Sequence, residues 1–385
     1  MAASVHSPRP QIDAARTPIR FQHPELPPID EIAAHFRRAQ ESGWYSNGGP
    51  CATELSERLS ARLGAHCVLV ANATLGIMAA LRATAGEPGE RRLIATPSYT
   101  FTATAGAIRW AGFEPLFVDV DPLHWHLDPA QLADALIHYP VAGILACSTF
   151  GTAPPPAVRA AWRDLAAQHR VPLLVDSAPG FGSTDAHGRP LGGVGDTEVF
   201  SFHATKPFAI GEGGLVATPD PELAARIARI VNFGLEPGTR TSTTAGLNAK
   251  LSELHAATGL AVLDRFDGVL AARRRLAGAL MNATTGCGLT LQQGAHDSTW
   301  QFFQTLAPSA AARTAALRVA GELDVEARTL HDPPLHRHPA YASAPRHGAL
   351  FVTDELAAHS LSLPLANRLS DEAIGRIAEV VRRSC

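Results

Sequence analysis

Between Cys67 and Asp176, short apolar runs alternate strictly with longer stretches whose apolar residues recur at helical spacing. This rhythm restricts the fold more than any other feature of the chain. Residues 67–71, 92–96, 114–120, 141–147 and 171–176 read as strands, and 74–82, 101–110, 128–137 and 157–169 as the helices between them. Strand–helix–strand repetition requires crossover connections, so the expected core is α/β, a mostly parallel central sheet covered by helices. Ligands of such sheets bind beyond the carboxyl ends of the strands. Chemistry is therefore to be sought at Asn72-Ala73-Thr74, at 97–102, at 149–151 and at 176–180.

After Asp176 the rhythm changes. Residues 198–202 and 214–218 read as short strands joined by glycine-rich turns, and 221–231 as a helix. Residues 251–276 read as one long helix able to link two domains. The remainder, with a strand at 300–306 and helices at 310–323 and 370–383, suits a smaller α+β unit. The expected organisation is a mobile tail at 1–20, a large α/β domain at 21–255 and a small C-terminal domain at 256–385. A net charge of −3 gives no electrostatic ground for a nucleic-acid or membrane partner, and no apolar run is long enough to span a bilayer. Five scattered cysteines without a CxxC pair, and a start without an apolar signal segment, point to the cytoplasm. His331, His336 and His338 are interrupted by prolines and match no metal-ligand spacing, so no metal is expected.

The 385 residues include two lysines, Lys206 and Lys250, against 31 arginines (33 Lys+Arg minus two). Arginine stays protonated and cannot form an imine, whereas a desolvated lysine can lose its proton and attack a carbonyl. The count alone fits a retained chemical role and compositional drift equally. Each strand-end residue is ambiguous in the same way. Thr74 opens a helix and is either an ordinary cap or part of a phosphate site. Asp176 ends a buried strand, where its charge needs a cationic partner or a helix N-terminus. Phe101 is either a core aromatic or a ring stacked on a flat heterocycle.

Together these features describe one machine. A phosphate site, an aromatic ring, a carboxylate for a ring nitrogen and a lysine for an aldehyde are what pyridoxal 5′-phosphate requires. Dinucleotide binding is excluded because Gly192-Gly193-Val194-Gly195 and Gly211–Gly214 lead into strands rather than helices. No P-loop glycines precede either lysine, and no GxSxG nucleophile elbow occurs.

The residues resemble the DegT/DnrJ/EryC1/StrS aminotransferases, pyridoxal-phosphate enzymes of fold type I that mostly act on nucleotide-linked keto sugars. The likeness runs from about Phe21 to the end of the chain. It includes Gly43-Trp44-Tyr45-Ser46-Asn47-Gly48-Gly49-Pro50, Asn72-Ala73-Thr74-Leu75-Gly76 and Pro97-Ser98-Tyr99-Thr100-Phe101. It continues through Val175-Asp176-Ser177-Ala178, Ser201-Phe202-His203-Ala204-Thr205-Lys206, Gly211-Glu212-Gly213-Gly214 and Gly246-Leu247-Asn248-Ala249-Lys250. The resemblance implies that Lys206 holds the cofactor's aldehyde covalently, that Asp176 partners its ring nitrogen and that Phe101 stacks on the ring. It assigns the phosphate to Thr74, Leu75 and Ser201, and to Asn248 of a neighbouring subunit, hence a homodimer with shared active sites. Trp44, Tyr45, Asn47, His336 and Tyr341 match segments that border the sugar pocket.

One position departs from the family pattern. Three residues after Asp176, where the family carries glutamine or histidine near the ring hydroxyl, stands Pro179, which has no side-chain donor. Cys147-Ser148-Thr149-Phe150-Gly151 also lacks the histidine often found before the aromatic–glycine pair. The expected reaction is a ping-pong transamination through pyridoxamine 5′-phosphate, from L-glutamate to a nucleotide-linked 3- or 4-keto-6-deoxyhexose. The alternatives are a cyclitol aminotransferase of the scyllo-inosose type and a non-catalytic cofactor-binding sensor.

Overall fold

The computed structural model describes residues 17–384. Two helices, α1 (Ile29–Ser42) and α2 (Pro50–Leu63), precede the first strand. Then β1 (His66–Val70) leads into α3 (Ala73–Ala85), β2 (Leu93–Pro97) into α4 (Thr102–Trp110), β3 (Glu114–Val118) into α5 (Pro129–His138) and β4 (Val141–Cys147) into α6 (Pro156–His169). The strands β5 (Leu173–Asp176), β6 (Thr197–Ser201) and β7 (Gly214–Thr218) follow, and α7 (Pro221–Val231) after them. These seven strands form one sheet in the order β1-β7-β6-β5-β4-β2-β3. Only β7 runs against the others. A reversed neighbour needs no crossover helix, so β6 and β7 are joined by a helix-free loop, residues 202–213, and that loop carries Lys206.

Strand burial explains the sequence rhythm. β5, β6 and β7 are buried at every position, as expected where both sheet faces are covered. One face packs a core of Leu55, Ile144, Val175, Phe200 and Leu260; the other packs Ile77, Leu145, Leu174, Val199 and Ile227.

Residues 251–276 are not one helix. α8 (Glu253–Leu263) ends at Asp264, and α9 (Phe266–Ala283) begins two residues later. No glycine or proline marks the break. Instead Asp264 is held by Arg58 (2.7 Å) and His35 (3.0 Å) of the two N-terminal helices. α8 is buried on nearly all sides against them, and at Gly259 a β-carbon would lie 2.6 Å from Leu55 Cδ2. Residues 255 and 256, where the sequence sets the domain boundary, both lie in α8.

Beyond α9, β8 (Phe303–Leu306), α10 (Ala310–Glu322), α11 (Phe351–His359), β9 (Ser360–Leu363) and α12 (Asp371–Arg382) build a second layer. β8 and β9 pair antiparallel around a core of Leu280, Trp300, Phe303, Leu361 and Ile377. The strand expected at 300–306 starts only at Phe303, because Trp300 adopts φ 51°, outside the strand region. Residues 1–16 of the expected tail lie outside the described residues. Ile19 is fully buried in this second core, and its N–H donates to Asp324 O at 2.8 Å.

Candidate active site

Lys206 sits on the β6–β7 loop, which is pinned by Ala204 N–H to Gly211 O (2.8 Å) and Ile210 N–H to Phe202 O (2.9 Å). The buried rings of Phe202 and Phe208 anchor it below, 4.5 Å apart. The Lys206 ammonium donates to Gln301 Oε1 (3.1 Å), and Gln301 Nε2 donates back to Thr205 O (3.1 Å). Burial lowers the lysine's pKa to about 8, with the charge of Asp176 opposing the shift.

Asp176 ends β5, flanked by Cys147 of β4 and Val199 of β6. Its Oδ2 accepts from Thr104 Oγ1 (2.7 Å) and its Oδ1 from Ala178 N–H (3.1 Å). Burial raises its pKa, against these two donors and Lys206. Both members of the pair are thus pushed toward neutrality by desolvation and held toward charge by one another.

The N-terminus of α3 lies beside them. Asn72 caps it, Oδ1 accepting from Leu75 N–H (2.9 Å). The Leu75 N–H is therefore engaged, whereas that of Thr74 has no intrahelical acceptor. Gly214 pairs with Ser201 and passes so close beneath α3 that a β-carbon would lie 2.8 Å from Ala73 N. That approach sets the backbone at the start of α3 against the β6–β7 pair, whose loop carries Lys206. Phe101, the residue before α4, is 65% exposed while Ser98, Tyr99 and Thr100 before it are buried.

The remaining expected residues are not joined to this cluster within one chain. Trp44, Tyr45 and Asn47 form an exposed turn between α1 and α2; Trp44 helps line an open pocket of about 590 Å³ with Arg38, Gly49 and Thr53. Asn248 is exposed, its Oδ1 accepting from Lys250 Nζ (2.8 Å), whose charge lies 4.2 Å from the Phe233 ring centroid. His336 is buried, Nδ1 2.8 Å from Ser98 Oγ and Nε2 3.3 Å from Asp354. Tyr341 is buried as well, its hydroxyl 3.3 Å from Thr102 Oγ1. Both brace the segment around Phe101 from behind. His338 turns elsewhere, toward Pro333 O.

Of three further residues at the site, Gln301 and Thr104 carry no recognised signal in the sequence, and His331 is marked there only as part of a histidine cluster without metal-ligand spacing. Gln301 contacts Lys206 and Thr104 contacts Asp176, as above. His331 stacks on Phe150 (4.9 Å) and meets Tyr99 edge-on (5.3 Å); burial and then Lys206 lower its pKa to about 3, so its imidazole is neutral. Thr104 was the most accessible of the three, lying one helical turn after Phe101. Pro179 serves the backbone. Its carbonyl accepts from Thr299 Oγ1 (2.6 Å), and Gly151 packs so tightly that a β-carbon there would lie 2.8 Å from the same oxygen.

The sequence profile of the DegT/DnrJ/EryC1/StrS aminotransferase family matches residues 28–382. The chain belongs to this family. It is therefore an aminotransferase. Protein Rv3402c of Mycobacterium tuberculosis is 35% identical over 373 residues, which span 95% of this chain and 90% of that protein. The dTDP-4-amino-4,6-dideoxy-D-glucose transaminase of Shigella dysenteriae is 29% identical, spanning 95% and 98%. Among solved structures, DesI in the presence of its TDP-sugar product superposes with a TM-score of 0.87 at 34% identity, covering 97% of this chain and 94% of that one. A PLP-dependent aminotransferase from Bacillus cereus superposes equally well, with a TM-score of 0.87 at 29% identity, covering 95% and 100%. The overall fold is thus shared with these two solved structures.

Proposed function

We propose that this family member is a pyridoxal-phosphate aminotransferase that moves the amino group of L-glutamate to a nucleotide-linked 3- or 4-keto-6-deoxyhexose. The observation that carries the reading is Lys206: a partly buried amine whose desolvation lowers its pKa to about 8, sharing a site with a buried carboxylate, Asp176, at the carboxyl edge of the sheet. The residues fit the cofactor. The exposed ring of Phe101 offers a stacking face, and the α3 N-terminus with Ser201 offers N–H and hydroxyl donors for a phosphate. The bound cofactor would supply an electron sink for a carbanion at the donor's α-carbon.

The chain's own groups do the rest. Lys206 holds the cofactor, and once released its amine takes a proton at Nζ and returns it, with Gln301 Oε1 as the acceptor that steadies it. Asp176 keeps a ring nitrogen protonated. Neutral His331 and the rings of Tyr99 and Phe150 wall the site and exclude water. The same Lys206 amine would serve as proton carrier in both half-reactions. The sugar substrate is supported by the relatives, which include the Shigella enzyme above and a UDP-2-acetamido-2-deoxy-3-oxo-D-glucuronate aminotransferase of Pseudomonas aeruginosa, 30% identical over 349 residues. Asn248, exposed on this chain, is assigned to the phosphate of a second subunit in a cytoplasmic homodimer, and Trp44, Tyr45 and Asn47 to its sugar pocket.

The decisive experiment is borohydride reduction of the purified protein followed by peptide mass mapping. A pyridoxyl adduct on Lys206 is expected, and Lys206→Arg should lose both adduct and visible absorbance. No adduct at this residue would overturn the cofactor assignment. Incubation with L-glutamate and a panel of dTDP- and UDP-linked keto sugars, read by mass, tests the acceptor; turnover of scyllo-inosose alone would replace the sugar with a cyclitol.

A further inference from the structure

Asp176 is the end of a buried hydrogen-bond chain that crosses four structural elements. Cys147 Sγ, at the end of β4, lies 3.3 Å from Thr100 Oγ1, in the turn after β2. Thr100 Oγ1 lies 3.0 Å from Thr104 Oγ1, in the first turn of α4, which lies 2.7 Å from Asp176 Oδ2 at the end of β5. All four side chains are buried.

Proton counting fixes the direction of this chain. A carboxylate can only accept, so the single hydroxyl proton of Thr104 goes to Asp176. The Thr104 oxygen must then accept from Thr100, whose own proton is thereby used. Thr100 in turn accepts the thiol proton of Cys147. The thiol suits the donor end, since burial and the nearby Asp176 charge both raise its pKa and keep it protonated. The other carboxylate oxygen is held by Ala178 N–H (3.1 Å), so the plane of the group cannot turn.

We propose that Cys147, Thr100 and Thr104 form a one-way donor relay that orients the Asp176 carboxylate and sets how strongly it holds the protonated ring nitrogen of the cofactor. These are positioning residues, and the inference rests on the pyridoxal-phosphate reading above. Each donor makes the next a better donor by polarising it, so the far end contributes through the near one. Without the relay, burial moves the Asp176 proton affinity up, the ring nitrogen is protonated less fully, and less electron density is withdrawn from the Lys206–cofactor linkage. That linkage then holds its own proton more tightly.

The test is Thr104→Val, which removes the donor at nearly constant volume. Relative to wild type, the midpoint of the bound cofactor's visible pH titration should rise by about one unit, and the apoprotein's Kd for pyridoxal 5′-phosphate by about tenfold. Thr104→Ser should restore both. Cys147→Ala should shift the midpoint in the same direction by less, whereas Cys147→Ser, still a donor, should titrate as wild type. Thermal melts of the apoproteins check that each variant folds. A Thr104→Val protein that titrates and binds as wild type overturns the proposal. So does an unchanged Cys147→Ala, which confines the effect to Thr104. Wild-type protein that takes up no pyridoxal 5′-phosphate overturns the cofactor reading and the relay with it.

Discussion

In the proposed function Lys206 must be charged enough to be held near Asp176 and neutral enough to attack an aldehyde, and burial sets the compromise. With a pKa lowered to about 8, roughly a tenth of the amine is unprotonated at pH 7; at the ordinary value of 10.5 it is about three-hundredfold less. Capture of pyridoxal 5′-phosphate by the apoprotein should therefore accelerate about tenfold per pH unit between roughly pH 6 and 8, and level off above. Rapid mixing followed by absorbance measures this, and a flat profile would contradict it. Gln301 steadies the same nitrogen, so Gln301→Leu should slow the amino-donor half-reaction by about tenfold, or ~1.4 kcal/mol of barrier, with stability changed by less than about 1 kcal/mol. Steady-state kinetics and urea unfolding separate the two effects. Lys206 and Asp176 were legible in the sequence because scarcity and a strand end marked them. Gln301 and Thr104 were not, because their partners lie 95 and 72 residues away and only tertiary folding joins them.

Among helices a side-chain cap helps but does not decide legibility: α4 and α6 lack one and are read from their apolar period, whereas α1, α2 and α11, also without one, are not read. α3, α5, α7, α8, α10 and α12 begin on Asn72, Asp128, Asp220, Ser252, Ser309 and Ser370, each accepting from a first-turn N–H. The split between α8 and α9 escaped because it is imposed by Arg58 and His35 on Asp264, not by a local breaker. α3 matters most for the site. At Gly76 a β-carbon would lie 3.1 Å from methyls of Val199 and Val216 and 3.2 Å from one of Val70, all three fully buried. These packed neighbours have little room to yield, so Gly76→Ala should destabilise the fold by about 1–3 kcal/mol and lift the helix N-terminus from the sheet. Its signature is a lower thermal midpoint together with weaker cofactor binding. A second such element is α2, whose entry is held by the fully buried Glu253, accepting from Cys51 N–H (2.7 Å) and Ala52 N–H (3.0 Å). Glu253→Ala leaves two buried donors unpaired and should cost about 2–4 kcal/mol in urea unfolding.

At the scale of the whole molecule, the α/β class and the parallel sheet followed from the strand–helix rhythm, because a crossover is the only way to join parallel neighbours. What the rhythm could not carry is how residues far from Lys206 serve the same site. Asn248, Trp44 and Tyr45 are exposed, and in a monomer they have no common purpose. A dimer in which each site takes Lys206 from one protomer and Asn248 from the other gives them one, and it makes a quantitative prediction. Lys206→Ala lacks the covalent anchor, and Asn248→Asp sets a carboxylate against a phosphate, so each homodimer should be inactive. In their heterodimer, one site receives both lesions and the other receives neither. Unfolding and refolding the two variants in equal amounts makes about half of the dimers mixed, with one intact site each, and should restore about a quarter of wild-type activity. Sites built within single protomers would instead leave the mixture as inactive as its components. Sedimentation of each variant confirms that loss of activity is not loss of the dimer, so complementation reads the shared site directly.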